Sequence, residues 1–187
     1  MSNISQKIDK GKLLIASPAT LTDRPFNRSV ILLVEHNSEG SVGFIMNKPT
    51  GFVVSDFISD FDCDFAVYNG GPVERDHLYY IHRVPGLIPG SEPINGSLSW
   101  GGEYQVVKRM IENKLIHPSD IRFFLGYSGW SPEQLEMEIE EKAWILTEND
   151  YPDIFKVKDA SHWRDKLSEF GGDYSLWLNS PDDPMLN

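Results

Sequence analysis

Short apolar blocks alternate with polar and turn-forming stretches along the chain, and this pattern predicts β-strands joined by turns. The predicted strands are residues 13–16, 30–34, 42–46, 65–68, 78–84, 121–125 and 144–146. Between the second and third of these runs, residues 37–40 have turn chemistry, with Gly40 free to adopt a positive φ. The sequence therefore predicts a β-hairpin at this point.

A helical pattern is clearest in the middle of the chain. Apolar residues recur there at spacings of three and four, which predicts a helix with one buried face. The residues that mark this face are Val106, Val107, Met110, Ile111 and Leu115.

A second helix is predicted after Ser131 and Pro132. Ser131 is suited to cap it, Pro132 fits a first helical position, and Gln134 is placed to complete a capping box. Three further segments are predicted from their patterns: a helix at residues 159–170, a short amphipathic helix at 52–58, and a proline- and glycine-rich surface excursion at 87–95.

The order of these elements indicates the fold class. Strands occur singly and in hairpins, without a regular βαβ alternation, so an α+β fold is favoured over a doubly wound sheet. The 187 residues are 40% hydrophobic, which is enough for one domain with a sizeable core. A single domain over residues 1–187 is therefore expected.

The charge balance narrows the range of partners. Acidic residues number 28 against 17 basic ones, for a formal net charge of −11. Such a surface repels nucleic acid and anionic lipid unless it carries a basic patch. The densest basic stretch contains only Lys108, Arg109 and Lys114, so no specific nucleic acid partner and no membrane partner are expected.

Cysteine content and the absence of long apolar runs point to a cytoplasmic protein. Cys63 is the only cysteine, so no internal disulfide is possible. It lies between Asp62 and Asp64, which disfavour its thiolate. The first twelve residues lack the apolar run of a signal peptide, and no stretch approaches the roughly 20 apolar residues of a membrane helix.

Candidate chemistry is sparse. The histidines have no spacing typical of metal ligands, so neither a metal nor another cofactor is predicted. Residues 126–130 are similar to a nucleophile elbow, with Gly126 two residues before Ser128, but Trp130 occupies the position that requires glycine. We therefore predict no nucleophile at Ser128 and expect these residues to form a turn.

Six motifs, taken together and in order, resemble the AlgH/YqgE family of bacterial proteins. They are residues 26–36 (FNRSVILLVEH), 43–49 (GFIMNKP), 70–73 (GGPV), 126–130 (GYSGW), 134–136 (QLE) and 143–144 (AW). The resemblance implies a bifurcated mixed β-sheet, closed in one part like a small barrel and flanked by helices. It also implies a role labelled as transcriptional regulation, with no known cofactor or catalytic residue. This chain has Ser131, Pro132 and Glu133 where family members have glycine and alanine.

The leading hypothesis is a non-enzymatic binding or regulatory protein that acts through a protein or small-molecule partner. We expect the two glycine segments to lie close together and the rings of Tyr127 and Trp130 to wall a shallow pocket. The candidate binding residues are Gly70, Gly71, Pro72, Gly126, Tyr127, Gly129 and Trp130, with Asn47 and Gln134 at the rim.

Two alternatives remain open at this point. One is a hydrolase that uses Ser128 or a pair of acidic residues that the sequence does not single out. The other is a transcriptional regulator that binds DNA directly, which the charge balance disfavours.

Overall fold

Ten β-strands and three α-helices form the described part of the chain, which in this computed structural model is residues 7–20 and 22–178. The strands are β1 (Leu13–Ala16), β2 (Val30–Asn37), β3 (Gly40–Ile45), β4 (Pro49–Val53), β5 (Ala66–Asn69), β6 (Val73–His82), β7 (Glu92–Asn95), β8 (Leu98–Trp100), β9 (Ile121–Trp130) and β10 (Trp144–Thr147). The α-helices are α1 (Tyr104–Glu112), α2 (Gln134–Glu140) and α3 (Ala160–Phe170). Short 3₁₀ helices lie at Pro18–Thr20, Val54–Asp56, Ile154–Lys156 and Gly172–Trp177.

The strands form one sheet in the order β10-β1-β2-β3-β9-β6-β8-β7, with β4 and β5 on a side branch. All pairs are antiparallel except β5 with β9, which is parallel. The α+β class is thereby confirmed. The sheet is not closed, because β10 and β7 end it as separate edges, so the expected barrel-like part is wrong.

The branch is centred on β9. On one side β9 pairs with β6, whereas on the other side it changes partner along its length. Residues 123–125 pair with β5, and residues 128–130 pair with β3. Gly126 lies between the two halves at a φ of 65°, a conformation that bends a strand without ending it. This geometry brings β3, β5, β6 and β9 together.

Two apolar clusters cover the sheet. The larger one packs β1, β2 and β3 against α3, where Trp163 is fully buried and its Nε1 donates to the Ala16 carbonyl at 2.7 Å. The smaller one packs β9 against α1 through Phe123 and Val107. Strands buried on both faces explain the continuous apolar runs of β1 and the first five residues of β2.

Most of the predicted elements are found where the pattern placed them. The hairpin of β2 and β3 forms with Asn37 opposite Gly40. The strands at 13–16, 65–68, 78–84, 121–125 and 144–146 all have counterparts, and α3 matches the helix predicted at residues 159–170.

Residues 126–130 do not form the predicted turn. They continue β9, because the positive φ at Gly126 produces a bend and the following residues still find a partner strand. Ser41 pairs with Trp130, and Gly43 pairs with Ser128. Gly126 therefore does not end β9; it marks the point at which β9 changes its partner from β5 to β3.

Two other expectations are wrong, and a third is incomplete. The helix predicted at residues 52–58 is instead the end of β4 and one 3₁₀ turn, because Val53 pairs with Ala66. Leu115 lies beyond α1 and is exposed, because Lys114 adopts a φ of 56° that ends the helical path. The excursion at residues 87–95 contains β7, which pairs with β8.

The start of α2 is partly as expected. The Ser131 amide donates to Gln134 Oε1 at 2.9 Å, which is the predicted return contact of a capping box. The helix nevertheless begins at Gln134, since Glu133 has a φ of 64°. Pro132 therefore lies before the helix and not at its first position.

Candidate functional site

The two glycine segments lie in direct contact, as predicted. The Gly70 amide donates to the Leu125 carbonyl at 2.9 Å, and the Gly70 carbonyl accepts from the Ile45 amide at 3.0 Å. The same carbonyl accepts from Ser128 Oγ at 3.0 Å. The turn between β5 and β6 is thereby held against the middle of β9.

Close backbone approach explains the glycines at this contact. A Cβ on Gly70 would lie 2.2 Å from the Gly126 carbonyl oxygen, and one on Gly71 would lie 2.3 Å from the Tyr127 carbonyl carbon. No side chain fits at such distances. These glycines are thus needed for packing, whether or not a ligand binds beside them.

Ser128 is placed unfavourably for nucleophilic chemistry. Its side chain is fully buried on β9, and its hydroxyl donates to the Gly70 carbonyl. A nucleophile needs an accessible oxygen and a neighbouring base. Here the hydroxyl donates to a backbone carbonyl, so the residue links β9 to the turn between β5 and β6.

Asn47 and Gln134 use their amides inside the protein. Asn47 is buried, accepts from the Val30 amide at 2.9 Å and donates to the Arg28 carbonyl at 2.9 Å. Gln134 accepts from Ser131 and donates to Glu138 at 2.8 Å. Both therefore hold local structure, and Asn47 does not lie at a rim.

Trp130 is largely a core residue. It is 5% exposed, stacks on Phe26 at 6.2 Å and meets Trp144 edge-on at 5.8 Å. Its Nε1 donates to Glu138 Oε2 at 2.8 Å, and Trp144 Nε1 donates to the same oxygen at 2.7 Å. One carboxylate thus joins two indoles from β9 and β10.

A groove of about 450 Å³ lies along the end of β9. We call it the acidic groove, because Glu35 and Glu39 line it and no basic side chain among the described residues does. Its other lining residues are Asn37, Gly40, Ser41, Val42, Val73, Tyr127, Gly129, Trp130, Ser131 and Pro132. Three of the predicted site residues, Tyr127, Gly129 and Trp130, therefore share one cavity.

The Tyr127 ring forms a wall of the acidic groove. It is half-buried and meets Tyr79 edge-on at 5.5 Å. The Tyr79 hydroxyl donates to the Glu74 carboxylate, and burial together with that carboxylate raises the pKa of Tyr79. Tyr79 thus stays neutral and supports the Tyr127 ring from behind.

Two further cavities, which adjoin each other, lie on the other side of the turn between β5 and β6. Their volumes are about 470 Å³ and 240 Å³, and both are lined by Asn69 and Arg75. We call them together the basic cleft. Lys48, Pro49, Thr50, Phe52, Phe57 and Leu125 line the first cavity, and Arg24, Pro25, Gly71 and Pro72 line the second.

Sequence reasoning missed the basic cleft. Its cations come from three separate segments, so counting charges along the chain does not reveal them. Phe52 and Phe57 were visible as apolar positions, but the helix predicted there would have buried them. Of the predicted site residues, only Gly71 and Pro72 line this cleft.

Other chemistry is limited in the described residues. Within residues 7–20 and 22–178, no group of three or more His, Cys, Asp or Glu side chains is arranged to hold a metal ion. Cys63 is buried, and its burial raises the pKa of the thiol. Across the same residues, no helix is long and apolar enough to cross a bilayer.

An open, branched α+β sheet, with the acidic groove and the basic cleft beside a glycine contact, defines the structural class of this protein. The family model described as AlgH-like matches residues 13–175. The chain therefore belongs to the AlgH-like family, as the sequence motifs implied.

Relatives and solved structures agree with this assignment. The chain is 40% identical over 188 residues to a UPF0301 protein of Chlorobaculum parvum, covering 100% of both chains. It is 38% identical to a UPF0301 protein of Cytophaga hutchinsonii, covering 96% of this chain and 100% of that one.

The solution structure of the AlgH protein from Pseudomonas aeruginosa matches with a TM-score of 0.71 at 28% identity, covering 97% of this chain and 98% of that one. A protein of Corynebacterium diphtheriae has the same fold, with a TM-score of 0.71 at 22% identity over 94% of each chain.

Proposed function

We propose that the protein is a non-enzymatic binding protein that takes a basic segment of a protein partner into the acidic groove. In this proposal the chain acts as a single domain in the cytoplasm, and any regulatory effect passes through that partner. The observation that carries the proposal is a cavity of about 450 Å³ lined by two carboxylates and an accessible tyrosine, with no cation among its walls.

The β2–β3 hairpin supplies the negative charge. Glu35 Oε1 accepts from Asn37 Nδ2 at 2.7 Å, which orients one carboxylate along the hairpin. Glu39 is exposed at the tip, and its own amide donates to Asn37 Oδ1 at 2.8 Å. Lys or Arg side chains placed here would form charge-assisted hydrogen bonds with both carboxylates.

The opposite wall is suited to the rest of a peptide. Tyr127 offers a broad ring at low entropic cost, and rings of this kind often contribute strongly to protein interfaces. Ser131 and Pro132 also line this wall, and their side chains would help to decide which partner the groove accepts.

Enzymatic alternatives receive less support. Ser128 has no accessible hydroxyl. The carboxyl groups of Asp76 and Asp159 have lowered pKa values because hydrogen bonds from His77 and Ser161 stabilise their charged forms. A general acid needs a raised pKa, so neither is suited to that role. Direct DNA binding is opposed by the net charge of −11.

The test uses synthetic peptides of equal length that are rich in Lys and Arg, neutral, or acidic. Fluorescence anisotropy is expected to show that the basic peptide alone binds, with an affinity that falls as salt rises. The double substitution Glu35→Gln and Glu39→Gln should weaken binding about fivefold or more, since exposed charge pairs contribute up to roughly 1 kcal/mol each.

The matched control is the double substitution Glu92→Gln and Glu103→Gln. It removes the same charge from exposed positions outside the groove and should leave the affinity nearly unchanged. If both double variants weakened peptide binding equally, the effect would be due to the net charge of the protein and not to the groove. Equal binding of all three peptides would rule out the proposed partner class.

A further inference from the structure

We infer that the basic cleft is a second binding site, which takes a small phosphate ester of a planar aromatic compound. The phosphate lies among Arg24, Lys48 and Arg75, and the ring lies against Phe52 and Phe57. This ligand class is independent of the protein partner proposed for the acidic groove.

The charge of the cleft is the first argument. Among residues 7–20 and 22–178, three cations line it and no carboxylate does, although acidic residues outnumber basic ones 28 to 17 in the chain. Within the described residues, the guanidinium groups of Arg24 and Arg75 have no hydrogen bond or ion pair. Cations that converge in a cavity whose described lining holds no carboxylate favour an anionic ligand, although the charge of Asp23 nearby acts on Lys48.

Backbone geometry projects Arg75 into this position. The ladder between β6 and β9 is interrupted between Val73 and Leu78, and Glu74 has a φ of 48°. Arg75 therefore lies on an irregular stretch and lines both cavities of the cleft. A guanidinium at that point can contact two oxygens of one phosphate.

Lys48 and Asn69 provide further donors. Lys48 is half-buried and gives one hydrogen bond, to the Pro25 carbonyl at 2.9 Å, so two ammonium protons remain for a ligand. Asn69 Oδ1 accepts from the Gly71 amide at 3.2 Å, which leaves its NH₂ group for the cleft. Both side chains are thus held in place before a ligand enters.

The aromatic pair accounts for the second half of the ligand. Phe52 and Phe57 are 55% and 41% exposed, although their rings contact each other edge-on at 5.8 Å. Two adjoining exposed phenyl rings beside a cluster of cations form a surface on which a planar ring can stack. The volume of about 470 Å³ is in the range of small-molecule sites.

The experiment titrates the protein with adenosine monophosphate and follows binding by calorimetry. Saturable binding is expected, with much weaker binding of adenosine and of inorganic phosphate, because each lacks one half of the ligand. Arg75→Gln should lower the affinity for adenosine monophosphate about tenfold, because charge-assisted hydrogen bonds are lost. Arg109→Gln, an exposed change on α1 outside the cleft, should have no effect.

Several outcomes would overturn the inference. They are the absence of saturable binding, equal affinity of wild type and Arg75→Gln, and inorganic phosphate binding as tightly as the monophosphate. Tighter binding of a single-stranded oligonucleotide through Arg75 would make nucleic acid the occupant and would also overturn it. Because Arg75 is exposed, the variant should fold, and its thermal unfolding is recorded beside each titration.

The double substitution Glu35→Gln and Glu39→Gln separates the two sites. It should weaken basic-peptide binding about fivefold or more and leave the monophosphate affinity intact, since neither glutamate lines the basic cleft. If the peptide experiment failed, the proposal for the acidic groove would be wrong, and the Arg75→Gln titration would still decide whether the basic cleft binds the monophosphate.

Discussion

The acidic groove and the basic cleft share one turn as a wall, but they are assembled differently. Val73 lines the groove, whereas Gly71 and Pro72 line the cleft. The groove takes its carboxylates from one hairpin, and the cleft gathers cations from three segments. The net charge of −11 therefore does not reveal that folding gathers carboxylates in one cavity and cations in another.

The two cavities also differ in what their aromatic residues do. Trp130, beside the groove, is 5% exposed and is packed in the larger apolar cluster. Phe52, in the cleft, is 55% exposed. One aromatic residue therefore mainly holds the fold, while the other is available to a ligand.

The largest expected effect follows from this difference. Trp130→Ala should lower the free energy of unfolding by about 3–5 kcal/mol, since it empties a packed site and removes the hydrogen bond to Glu138. Urea unfolding followed by circular dichroism measures it. A stability equal to wild type would mean that Trp130 is not a core residue, and its ring would then be available for binding.

A smaller effect is expected at the shared wall. Gly71→Ala should cost about 1–3 kcal/mol, because the new methyl would lie 2.3 Å from the Tyr127 backbone at a φ of 152°. Both cavities should be distorted together. Gly51→Ala is the control, since its φ is also positive at 83° but no atom lies within 4 Å of the added carbon. Equal losses would show that backbone strain alone matters.

A pH effect should appear in the basic cleft alone. Burial lowers the pKa of Lys48 to about 8, while the charge of Asp23 opposes the decrease. The ammonium is charged below that pH and neutral above it, so the affinity for adenosine monophosphate should fall as pH rises through about 8. Arg24 and Arg75 also line the cleft.

Calorimetry at several pH values measures this dependence. Lys48→Arg should flatten the profile, because a guanidinium keeps its charge throughout. A decline that survives the substitution would assign the titration to another group. Binding of the basic peptide to the acidic groove serves as an internal reference, since Lys48 does not line that groove.

The smallest expected effect concerns stability. Phe52→Ala should change the free energy of unfolding by less than about 0.5 kcal/mol, as is usual for exposed positions. The same variant should lower the affinity for adenosine monophosphate in calorimetry, because Phe52 lines the cleft. A large loss of stability would make Phe52 a structural residue like Trp130 and would erase the contrast between the two cavities.

The sequence predicts most of the strands because continuous apolar runs identify those that are buried on both faces. It also predicts the contact between the glycine segments, since strands of one sheet end near one another. It does not predict that β9 continues past Gly126, because a glycine that bends a strand and one that ends it have the same local signature.

The candidate site is predicted less completely. Tyr127, Gly129 and Trp130 were expected to share a cavity, and they do. Asn47 was placed at a rim because it is polar, yet it is buried among backbone groups that need its amide. Arg24, Lys48 and Arg75 were missed, since their proximity depends on long-range pairing and a strand irregularity that no short pattern contains.

The pairing of β9 has a consequence for the order of folding. The β2–β3 hairpin closes a short loop, whereas the pairing of Ser41 with Trp130 closes a much longer one, so we expect this pairing to form later. The acidic groove is complete only when this pairing has formed, because Ser41 and Trp130 both line it. A ligand of the groove would therefore bind and stabilise only the folded protein.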